Sequence, residues 1–434
     1  MEQIVTTLIV GAGLAGLTCA RILNEQGQLV RVLEAGDGVG GRVRSDRVDG
    51  YILDRGFQVL FTAYPAARRQ LDYARLDLQA FEPGAIICKN GKRAILTDPL
   101  RDPGSALPAA LTTIVSPFDK LRTLALTLEL KRKAIGQIIA GPDESTESYL
   151  QGRGFSQAFI DNFIRPFYGG IFLENKLATS AKNFRFDFKM LSDGQTVVPS
   201  QGMGQIAAQL AEPLYKKGLI QLNARVTELL YSGEKVRGVK LESGEIIEAA
   251  QVVIATPAPE AARLTGLAVP QGQTSTINLY WSGSLPFYKS KKILLNPEPA
   301  ALVNNAVLAS NIAPEYAPAG KHLLSATILG LPDLDEEQLF EKGLADLQQM
   351  FRGDAQAQYA LKTYKPLKLY RISYGQFAQP PGYHASLPFN RTEKPGLWFA
   401  AEFTEASSQN ASMISGEKAA KAILKQARNQ ISAA

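Results

Sequence analysis

Three glycines near the start of the chain have the spacing of a turn that binds phosphate groups. Residues 11–16 have the sequence Gly-Ala-Gly-Leu-Ala-Gly. Gly11 permits a tight turn, Gly13 lets the backbone approach a pyrophosphate, and Gly16 allows a helix to pack closely on a strand. Phosphates bind at such a turn because the first backbone amides of the helix and the positive end of its dipole face them. The pattern predicts a dinucleotide site.

An acidic residue follows at the position where a ribose contact is expected. Glu34 ends the next apolar segment of the chain, and its carboxylate can accept hydrogen bonds from a ribose 2′-hydroxyl. A 2′-phosphate would meet this negative charge and be repelled. The site is therefore expected to take an unphosphorylated adenosine ribose, as in FAD or NAD, and not NADP.

The elements that must position these residues are present in the right order. Residues 6–10 have the apolar character of a buried strand, residues 14–23 have helical apolar periodicity, and residues 29–33 form a second apolar strand. Gly27 marks the end of the helix. A glycine pattern alone is common in turns rich in small residues. Here strand, glycine turn, helix, strand and acid follow one another, which favours dinucleotide binding in a βαβ unit.

The rare residues exclude several other kinds of chemistry. The 434 residues include two cysteines, Cys19 and Cys88, and two histidines, His322 and His384. These four lie too far apart in sequence for the close ligand spacings of a zinc site, so no metal is expected. One pair of cysteines makes no disulfide framework, which is typical of a reducing compartment. We expect the chemistry to come from a bound cofactor.

The charge distribution bears on partners and location. The net charge is +6 without a basic tail, so no nucleic-acid partner is expected. Short basic clusters at 131–133 and 289–292 are interpreted as solvated surfaces, with contact to an anionic membrane as the alternative. We identify no signal peptide and no apolar stretch long enough to span a membrane. The protein is expected to be cytoplasmic, with peripheral membrane association as the alternative.

Two further motifs identify the cofactor through a resemblance. Residues 36–42 have the sequence Gly-Asp-Gly-Val-Gly-Gly-Arg, and residues 54–58 have Asp-Arg-Gly-Phe-Gln. With these motifs the chain resembles the flavin-containing amine oxidase superfamily, which includes monoamine and polyamine oxidases, protoporphyrinogen oxidase and the phytoene desaturases. In that family the Gly-Gly-Arg lies along the FAD pyrophosphate and ribityl chain. The resemblance implies bound FAD, held non-covalently because no cysteine follows Cys88.

The resemblance continues to the end of the chain. Residues 224–227 resemble the family strand whose valine backbone holds the adenine, and residues 252–257 its apolar strand ending in Ala-Thr-Pro. Residues 397–402 resemble the last strand, with Ala401 where the family has glycine. The start of the last helix faces the flavin N1–O2 edge in the family. The implied cofactor-binding residues are Gly11, Ala12, Gly13, Leu14, Ala15, Gly16, Glu34, Ala35, Gly40, Gly41, Arg42, Gly56, Phe57, Gln58, Val226, Glu402, Ala411, Ser412 and Met413.

The implied fold is of mixed α/β class. A Rossmann-like FAD/NAD(P)-binding domain of residues 1–85, 192–266 and 390–434 is interleaved with a mixed sheet-and-helix substrate domain of residues 86–191 and 267–389.

Local patterns predict elements within the substrate domain. Ser116 is predicted to cap a helix that carries Leu121, Leu124, Ala125 and Leu128 on one face. Three phenylalanines at 155, 159 and 163 have helical spacing, and residues 166–170, Pro-Phe-Tyr-Gly-Gly, are predicted to break that helix. The phenylalanines at 184, 186 and 188 alternate with charged residues, as in a strand.

The resemblance gives only two candidates for a catalytic side chain. Many amine oxidases carry a lysine near the flavin N5, and the similar stretch here, residues 275–281, has Asn278 instead. Gln58 would face the isoalloxazine ring. Gln58 and Asn278 are therefore the candidates, and catalysis is expected to rest mainly on substrate orientation and flavin electronics.

We hypothesise that the protein transfers a hydride to flavin N5 from a bulky, largely apolar substrate, such as a protoporphyrinogen-like or carotenoid-precursor-like molecule, or from an amine. Oxygen, a quinone or another acceptor would then take the electrons. Two alternatives stay open. One is an FAD-free binding protein for a lipidated partner, similar to the Rab GDP-dissociation inhibitors. The other is a flavin-dependent isomerase without net oxidation.

Overall fold

A computed structural model describes residues 5–97, 101–102, 104 and 114–433. In chain order the strands are β1 Val5–Val10, β2 Val30–Leu33, β3 Ser45–Val48, β4 Tyr51–Asp54, β5 Leu60–Phe61, β6 Leu78–Ala80, β7 Ala85–Lys89, β8 Lys92–Leu96, β9 Thr196–Pro199, β10 Ile220–Gln221, β11 Val226–Ser232, β12 Lys235–Leu241, β13 Ile246–Ile254, β14 Gln273–Gly283, β15 Ile293–Leu295, β16 Val303–Leu308, β17 His322–Leu329, β18 Lys365–Phe377 and β19 Leu397–Phe399.

The α-helices among the described residues are α1 Leu14–Glu25, α2 Pro65–Gln70, α3 Pro117–Arg132, α4 Ile135–Ile139, α5 Thr146–Gly152, α6 Gln157–Phe159, α7 Arg165–Phe172, α8 Ala181–Asp193, α9 Gly204–Tyr215, α10 Ala258–Thr265, α11 Ala309–Ile312, α12 Glu336–Met350, α13 Ala355–Leu361 and α14 Gln409–Ala433. A π-helical turn, Ile160–Ile164, joins α6 to α7. Within the described ranges no helix is both long and apolar enough to cross a bilayer.

The first of two large sheets is built around parallel strands. Its order is β10-β2-β1-β13, with β19 parallel to the end of β13 and with β12 and β11 antiparallel beyond it. Leu8 and Ile9 of β1 are fully buried, because a parallel sheet is covered on both faces. Helix α1 packs against α9 and α14 on one of these faces.

Helix α1 begins unusually close to the end of β1. A Cβ added at Gly16 would lie 2.1 Å from the Gly11 carbonyl oxygen and 2.9 Å from the Ala255 Cβ. Since real Cβ atoms do not approach so closely, only glycine fits at position 16. This is the close helix-on-strand packing that the spacing of the glycines predicts.

The second large sheet has the order β18-β14-β17-β16-β15-β7-β8 and is antiparallel except between β15 and β7. On β14 the residues Ile277, Leu279 and Trp281 pack in a core with α12 and α13. Tyr280 belongs to the opposite face, and its hydroxyl donates to the Asp54 carbonyl oxygen at 2.9 Å. This face of the sheet therefore contacts the segment that carries β4.

The origin of the strands agrees with an interleaved chain. The first sheet draws its strands from residues 5–33, 220–254 and 397–399, and the second from residues 85–96 and 273–377. The mixed α/β fold class is confirmed. The exact division into two discontinuous domains stays a prediction, which these two sheets support.

The strand predicted around residues 184–188 is wrong, because this segment lies in α8. Ser180 caps the helix by accepting a hydrogen bond from the Lys182 amide at 3.1 Å. Phe184 is fully buried with its ring centroid 4.6 Å from that of Tyr168. Phe186 lies on another face and stacks on Tyr64 at 6.0 Å. Phe184 and Phe188 are four residues apart and share one helix face, with ring centroids 5.8 Å apart, and tertiary packing on two sides of α8 overrides the alternating pattern.

The predicted helix break at residues 166–170 is also wrong, because helix α7 continues to Phe172. Pro166 lies in the first turn of α7, where a missing N–H is tolerated. The π-helical turn before it changes the hydrogen-bond register just where proline enters. Leu173, with φ of 56°, ends the helix in the left-handed conformation instead.

The helix predicted after Ser116 is confirmed as α3. The Ser116 hydroxyl accepts from the Asp119 amide at 3.1 Å. Its predicted apolar face is exposed, however, whereas Leu126 and Leu130 are buried. The exposed apolar residues of α3, with their exposed fractions, are Phe118 (70%), Leu121 (64%), Leu124 (50%) and Leu128 (49%).

Candidate active site

A cavity of about 2510 Å³ runs from the carboxyl ends of the parallel strands to the aromatic helices α6–α8. Sixteen of the residues predicted from the sequence line it: Gly11, Gly13, Leu14, Ala15, Glu34, Ala35, Gly40, Gly41, Arg42, Gly56, Phe57, Gln58, Val226, Glu402, Ala411 and Ser412. Ala12, Gly16 and Met413 are not in the cavity wall. The site is thus assembled from segments up to 400 residues apart in the chain.

Two glycine-rich loops meet at one end of the cavity. The Gly40 amide donates to the Ala12 carbonyl oxygen at 2.8 Å, and Gly13 pairs with Gly40 as an isolated bridge. Gly40 has φ of 114°, a conformation that side-chain-bearing residues avoid. No atom lies within 4 Å of where a Cβ would sit on Gly13, and Gly13 lines the cavity. The N-terminus of α1, which no side chain caps, therefore faces open space.

Glu34 holds these two loops in place. Its Oε2 accepts from the Ala12 amide and its Oε1 from the Gly36 amide, both at 2.8 Å. The carboxylate is partly exposed toward the cavity. An ionised carboxylate has about four lone-pair sites, so acceptor capacity is left for a ligand hydroxyl.

Arg42 and Glu402 form an ion pair across the cavity wall. The Arg42 Nη2 lies 2.6 Å from the Glu402 Oε1, and its Nη1 donates to the Gly375 carbonyl oxygen at 2.7 Å. The Ser407 hydroxyl donates to the other Glu402 oxygen at 2.8 Å. Burial alone would lower the pKa of Arg42, but the Glu402 charge raises it above its usual value. The two residues predicted to contact FAD separately are held to one another.

The side chain of Gln58 holds the backbone of the loop before it. Its side-chain amide donates to the Arg42 carbonyl oxygen at 2.7 Å and to the Arg55 carbonyl oxygen at 3.3 Å. It thereby fixes the loop that carries Arg42. Next to it, Gly56 has φ of 94°, and a Cβ there would lie 2.6 Å from the Ile372 side chain.

The start of α14 is joined to α2. Asn410 Oδ1 accepts from the Ala66 amide at 2.9 Å, and the Ala411 amide donates to the Ser408 hydroxyl at 3.0 Å. Ala411 and Ser412 line the cavity, whereas Met413 is fully buried in the core beneath them. Its side chain therefore supports the helix start from below.

Asn278, the second catalytic candidate, does not reach the cavity wall. It is fully buried, and its side-chain amide donates to the Ser325 hydroxyl at 3.2 Å. Thr276, two residues earlier on the same strand, lines the cavity together with Thr327. A bulge between residues 274 and 276 sets this register against β18. The resemblance identified the strand but not which of its residues lies at the cavity.

The structure adds lining residues that the sequence patterns missed. Thr256 and Gln409 line the cavity, and the Thr256 Oγ1 and Gln409 Oε1 are buried without a hydrogen-bond partner among the described residues. The Tyr374 ring lies 5.4 Å from the Arg42 guanidinium carbon. Asp187 of α8 lines the far half of the cavity. Thr256 belongs to the Ala-Thr-Pro of residues 255–257 but was not predicted as a contact, and no motif marks the other three positions.

This arrangement defines a class of protein. A glycine turn at the carboxyl edge of a parallel sheet, with an acid on the next strand, is a dinucleotide-binding unit. The second sheet and helices α6–α8 close a large cavity over it.

Comparison with known proteins gives the family. The family model described as flavin containing amine oxidoreductase matches residues 14–424, and the chain belongs to this family. The predicted family and oxidoreductase class are confirmed.

Protoporphyrinogen oxidase 2 of Arabidopsis thaliana is 32% identical over 164 residues, covering 37% of this chain and 31% of that protein. The zeta-carotene-forming phytoene desaturase of Myxococcus xanthus is 26% identical over 286 residues, covering 58% of this chain and 54% of that protein. The matched regions thus span from 31% to 54% of the length of these relatives.

An oxidoreductase structure from Methanosarcina mazei superimposes with a TM-score of 0.69 at 18% identity, over 97% of this chain and 100% of that one. At this identity the likeness shows the fold alone.

Proposed function

We propose that this protein is a non-covalent FAD-dependent oxidoreductase for a bulky, largely apolar substrate. The observation that carries the proposal is one continuous cavity with a polar, glycine-rich half and an aromatic half. Pockets for a single small ligand usually measure about 300–1,000 Å³. A cavity of about 2510 Å³ has room for a dinucleotide and a substrate together.

The residues of the polar half fit FAD. The open space beside Gly13 and the uncapped start of α1 suit a pyrophosphate. Glu34 has acceptor capacity for the adenosine ribose, and the unpartnered Thr256 Oγ1 and Gln409 Oε1 suit polar groups of a ligand. Cys19 and Cys88 are buried, and burial raises the pKa of each to about 12. Neither thiol suits a covalent flavin link, which supports non-covalent binding.

The aromatic half supports an apolar substrate. It is lined by Phe159, Phe163, Phe167, Tyr168 and Phe186. When bound, FAD supplies the acceptor for a hydride from a substrate C–H or N–H bond. The chain's own part is to bind and orient the two molecules and to exclude water from between them.

The absorption spectrum of the purified protein tests the cofactor. We expect a flavin spectrum, and a cofactor that heat releases and that chromatographs as FAD. A colourless protein that FAD does not reconstitute would contradict the proposal and favour the FAD-free binding protein. Loss of the flavin absorbance under anaerobic conditions, on addition of amines, tetrapyrrole precursors or carotenoid precursors, then identifies the substrate class. Reoxidation of the reduced flavin by oxygen or by a quinone identifies the electron acceptor. An isomerase would convert its substrate without lasting bleaching.

We further propose that α3 contacts an anionic membrane surface at the cavity mouth. Leu121, Leu124 and Leu128 are exposed and also line the cavity. Lys131 and Arg132 are exposed in the last turn of the same helix. An apolar face beside basic residues suits the interface of a bilayer that contains acidic lipids. An apolar substrate could then enter directly from the lipid.

Co-sedimentation with vesicles tests this contact. We expect binding to phosphatidylcholine vesicles that contain phosphatidylglycerol, and weaker binding to phosphatidylcholine alone. The double substitution Leu121→Ser with Leu124→Ser should abolish binding. Leu331→Ser, at an exposed leucine outside α3, is the matched control. Equal binding of both variants would overturn the membrane proposal.

A further inference from the structure

One face of α8 is directed into the cavity and carries a carboxyl group. Asn183, Phe186, Asp187 and Leu191 line the cavity from this helix. Asp187 is 8% exposed. It makes no hydrogen bond or ion pair with any residue that the structure describes. Lys182, on the preceding turn, also lines the cavity but is not paired with it.

The groups around Asp187 are aromatic hydroxyls. Its charge acts on Tyr64, before α2, on Tyr168 of α7 and on Tyr383, and it adds to burial in raising the pKa of each. Burial alone raises the pKa of Asp187 itself to about 7. No cation of the described chain offsets this effect of burial.

An unpaired carboxyl in such a place needs an explanation. Buried ionisable groups in proteins are normally paired, because burial without a partner costs free energy. Those without a partner in a cleft are candidates for ligand contact. Asn183 lies one turn away on the same face, and its Oδ1 already accepts a hydrogen bond from the Tyr383 hydroxyl at 2.8 Å. Asp187 is left as the acceptor at this point of the wall.

The position of Asp187 connects it with the predicted cofactor site. Tyr64 stacks on Phe186, the residue before Asp187, with ring centroids 6.0 Å apart. Two residues after Tyr64, the Ala66 amide donates to Asn410 at the start of α14. A substrate lying between α8 and the start of α14 would therefore have Asp187 beside it.

We propose that Asp187 is a specificity-determining residue that accepts a hydrogen bond from an N–H group of an otherwise apolar substrate. The N–H can belong to an ammonium group or to a pyrrole, because both donate to a carboxylate. Aromatic faces nearby suit either group. The cavity would then select nitrogen-bearing substrates over a pure hydrocarbon. This inference rests on the proposed function.

Anaerobic single-turnover reduction of the bound flavin tests the proposal. It separates the dissociation constant of a substrate from the limiting rate of reduction. The probes are 2-phenylethylamine for the ammonium, coproporphyrinogen III for the pyrrole, and phytoene in micelles for the hydrocarbon. Asp187→Asn keeps the size of the side chain and removes the charge. Asp333→Asn, at an exposed aspartate outside the cavity wall, is the control.

We expect Asp187→Asn to raise the dissociation constant of the N–H probe that reduces the flavin by about 10- to 100-fold. Flavin content and any reaction with phytoene should match the parent, the melting temperature should not fall, because the buried carboxyl is costly to the folded state, and Asp333→Asn should behave as the parent. Weaker binding of 2-phenylethylamine to Asp187→Asn would identify an ammonium as the donor, and weaker binding of coproporphyrinogen III would identify a pyrrole. Reduction by phytoene alone, an unchanged constant, or equal losses for all probes overturns the role of Asp187. A parent flavin that no probe reduces overturns the proposed function and this inference together.

Discussion

Replacement of Glu34 by alanine should weaken FAD binding through the adenosine ribose. In the structure both carboxylate oxygens accept backbone amides, from Ala12 and Gly36, each at 2.8 Å. These bonds aim the carboxylate into the cavity between the two glycine loops. The substitution removes the acceptor for the ribose hydroxyl and the link between the loops.

The magnitude follows from the kind of bond that is lost. A hydrogen bond to a charged group contributes about 1.5–3 kcal/mol. Glu34 is only partly buried, so water can take over some of the lost contacts, and the lower part of that range applies. At about 1.4 kcal/mol for each factor of ten, the dissociation constant of FAD should rise about ten- to thirtyfold.

Fluorescence titration of the flavin-free protein measures this effect. FMN lacks the adenosine ribose, so its affinity should fall less than that of FAD on Glu34→Ala. Glu234→Ala, at an exposed turn between β11 and β12, is the control for loss of a negative charge. Unchanged FAD affinity in a folded Glu34→Ala variant would falsify the ribose role of Glu34. Equal losses for FAD and FMN would show that the residue acts only on loop structure.

Two further substitutions test the packing and the buried charge. A Cβ at Gly416 of α14 would lie 2.4 Å from the Ala15 carbonyl oxygen, so Gly416→Ala should lower the free energy of unfolding by about 1–3 kcal/mol in urea denaturation. Gly136→Ala, whose Cβ meets nothing within 4 Å, should not, and equal midpoints would contradict the packing argument. Burial raises the pKa of Asp54 from 3.8 to about 6. The folded state therefore holds this proton more tightly than the unfolded state, and stability falls as the pH rises from about 4 to about 6. Asp54→Asn should remove that fall, gaining about 3 kcal/mol over the parent between those pH values, and a pH-independent difference in unfolding free energy would refute this.

The N-terminal part of the site was predictable because its residues are close in sequence. The first 34 residues contain β1, the glycine turn, α1, β2 and Glu34. Each glycine of the turn is required by the local backbone geometry. The Arg42–Glu402 pair was not predictable in the same way. The two residues are brought together by the parallel pairing of β13 with β19 and by the loop before β3, and no local pattern records that contact.

The errors in the substrate domain have a shared physical cause. Around residues 184–188 the alternation of aromatic and charged residues follows the strand period, but packing of Phe184 against Tyr168 and of Phe186 against Tyr64, on two faces, is satisfied by a helix. For β14 the resemblance gave the right strand and face, but the cavity wall includes Thr276 and not Asn278, which is fully buried two residues further along the strand. Sequence patterns predict the period of an element. Long-range packing then decides between periods and sets the register.

Three of the carboxylates that line the cavity, Glu34, Glu402 and Asp187, differ in how far the chain itself satisfies them. Glu34 accepts two backbone amides, and Glu402 is paired with Arg42 and accepts from Ser407. Asp187 has neither kind of partner among the residues that the structure describes. A carboxylate held by protein donors is fixed in position for a resident cofactor, whereas an unpaired one is costly until a ligand supplies the donor. Neutral amide variants should therefore separate the two proposals: Glu34→Gln and Glu402→Gln should change flavin retention, and Asp187→Asn should change only which substrate reduces the flavin.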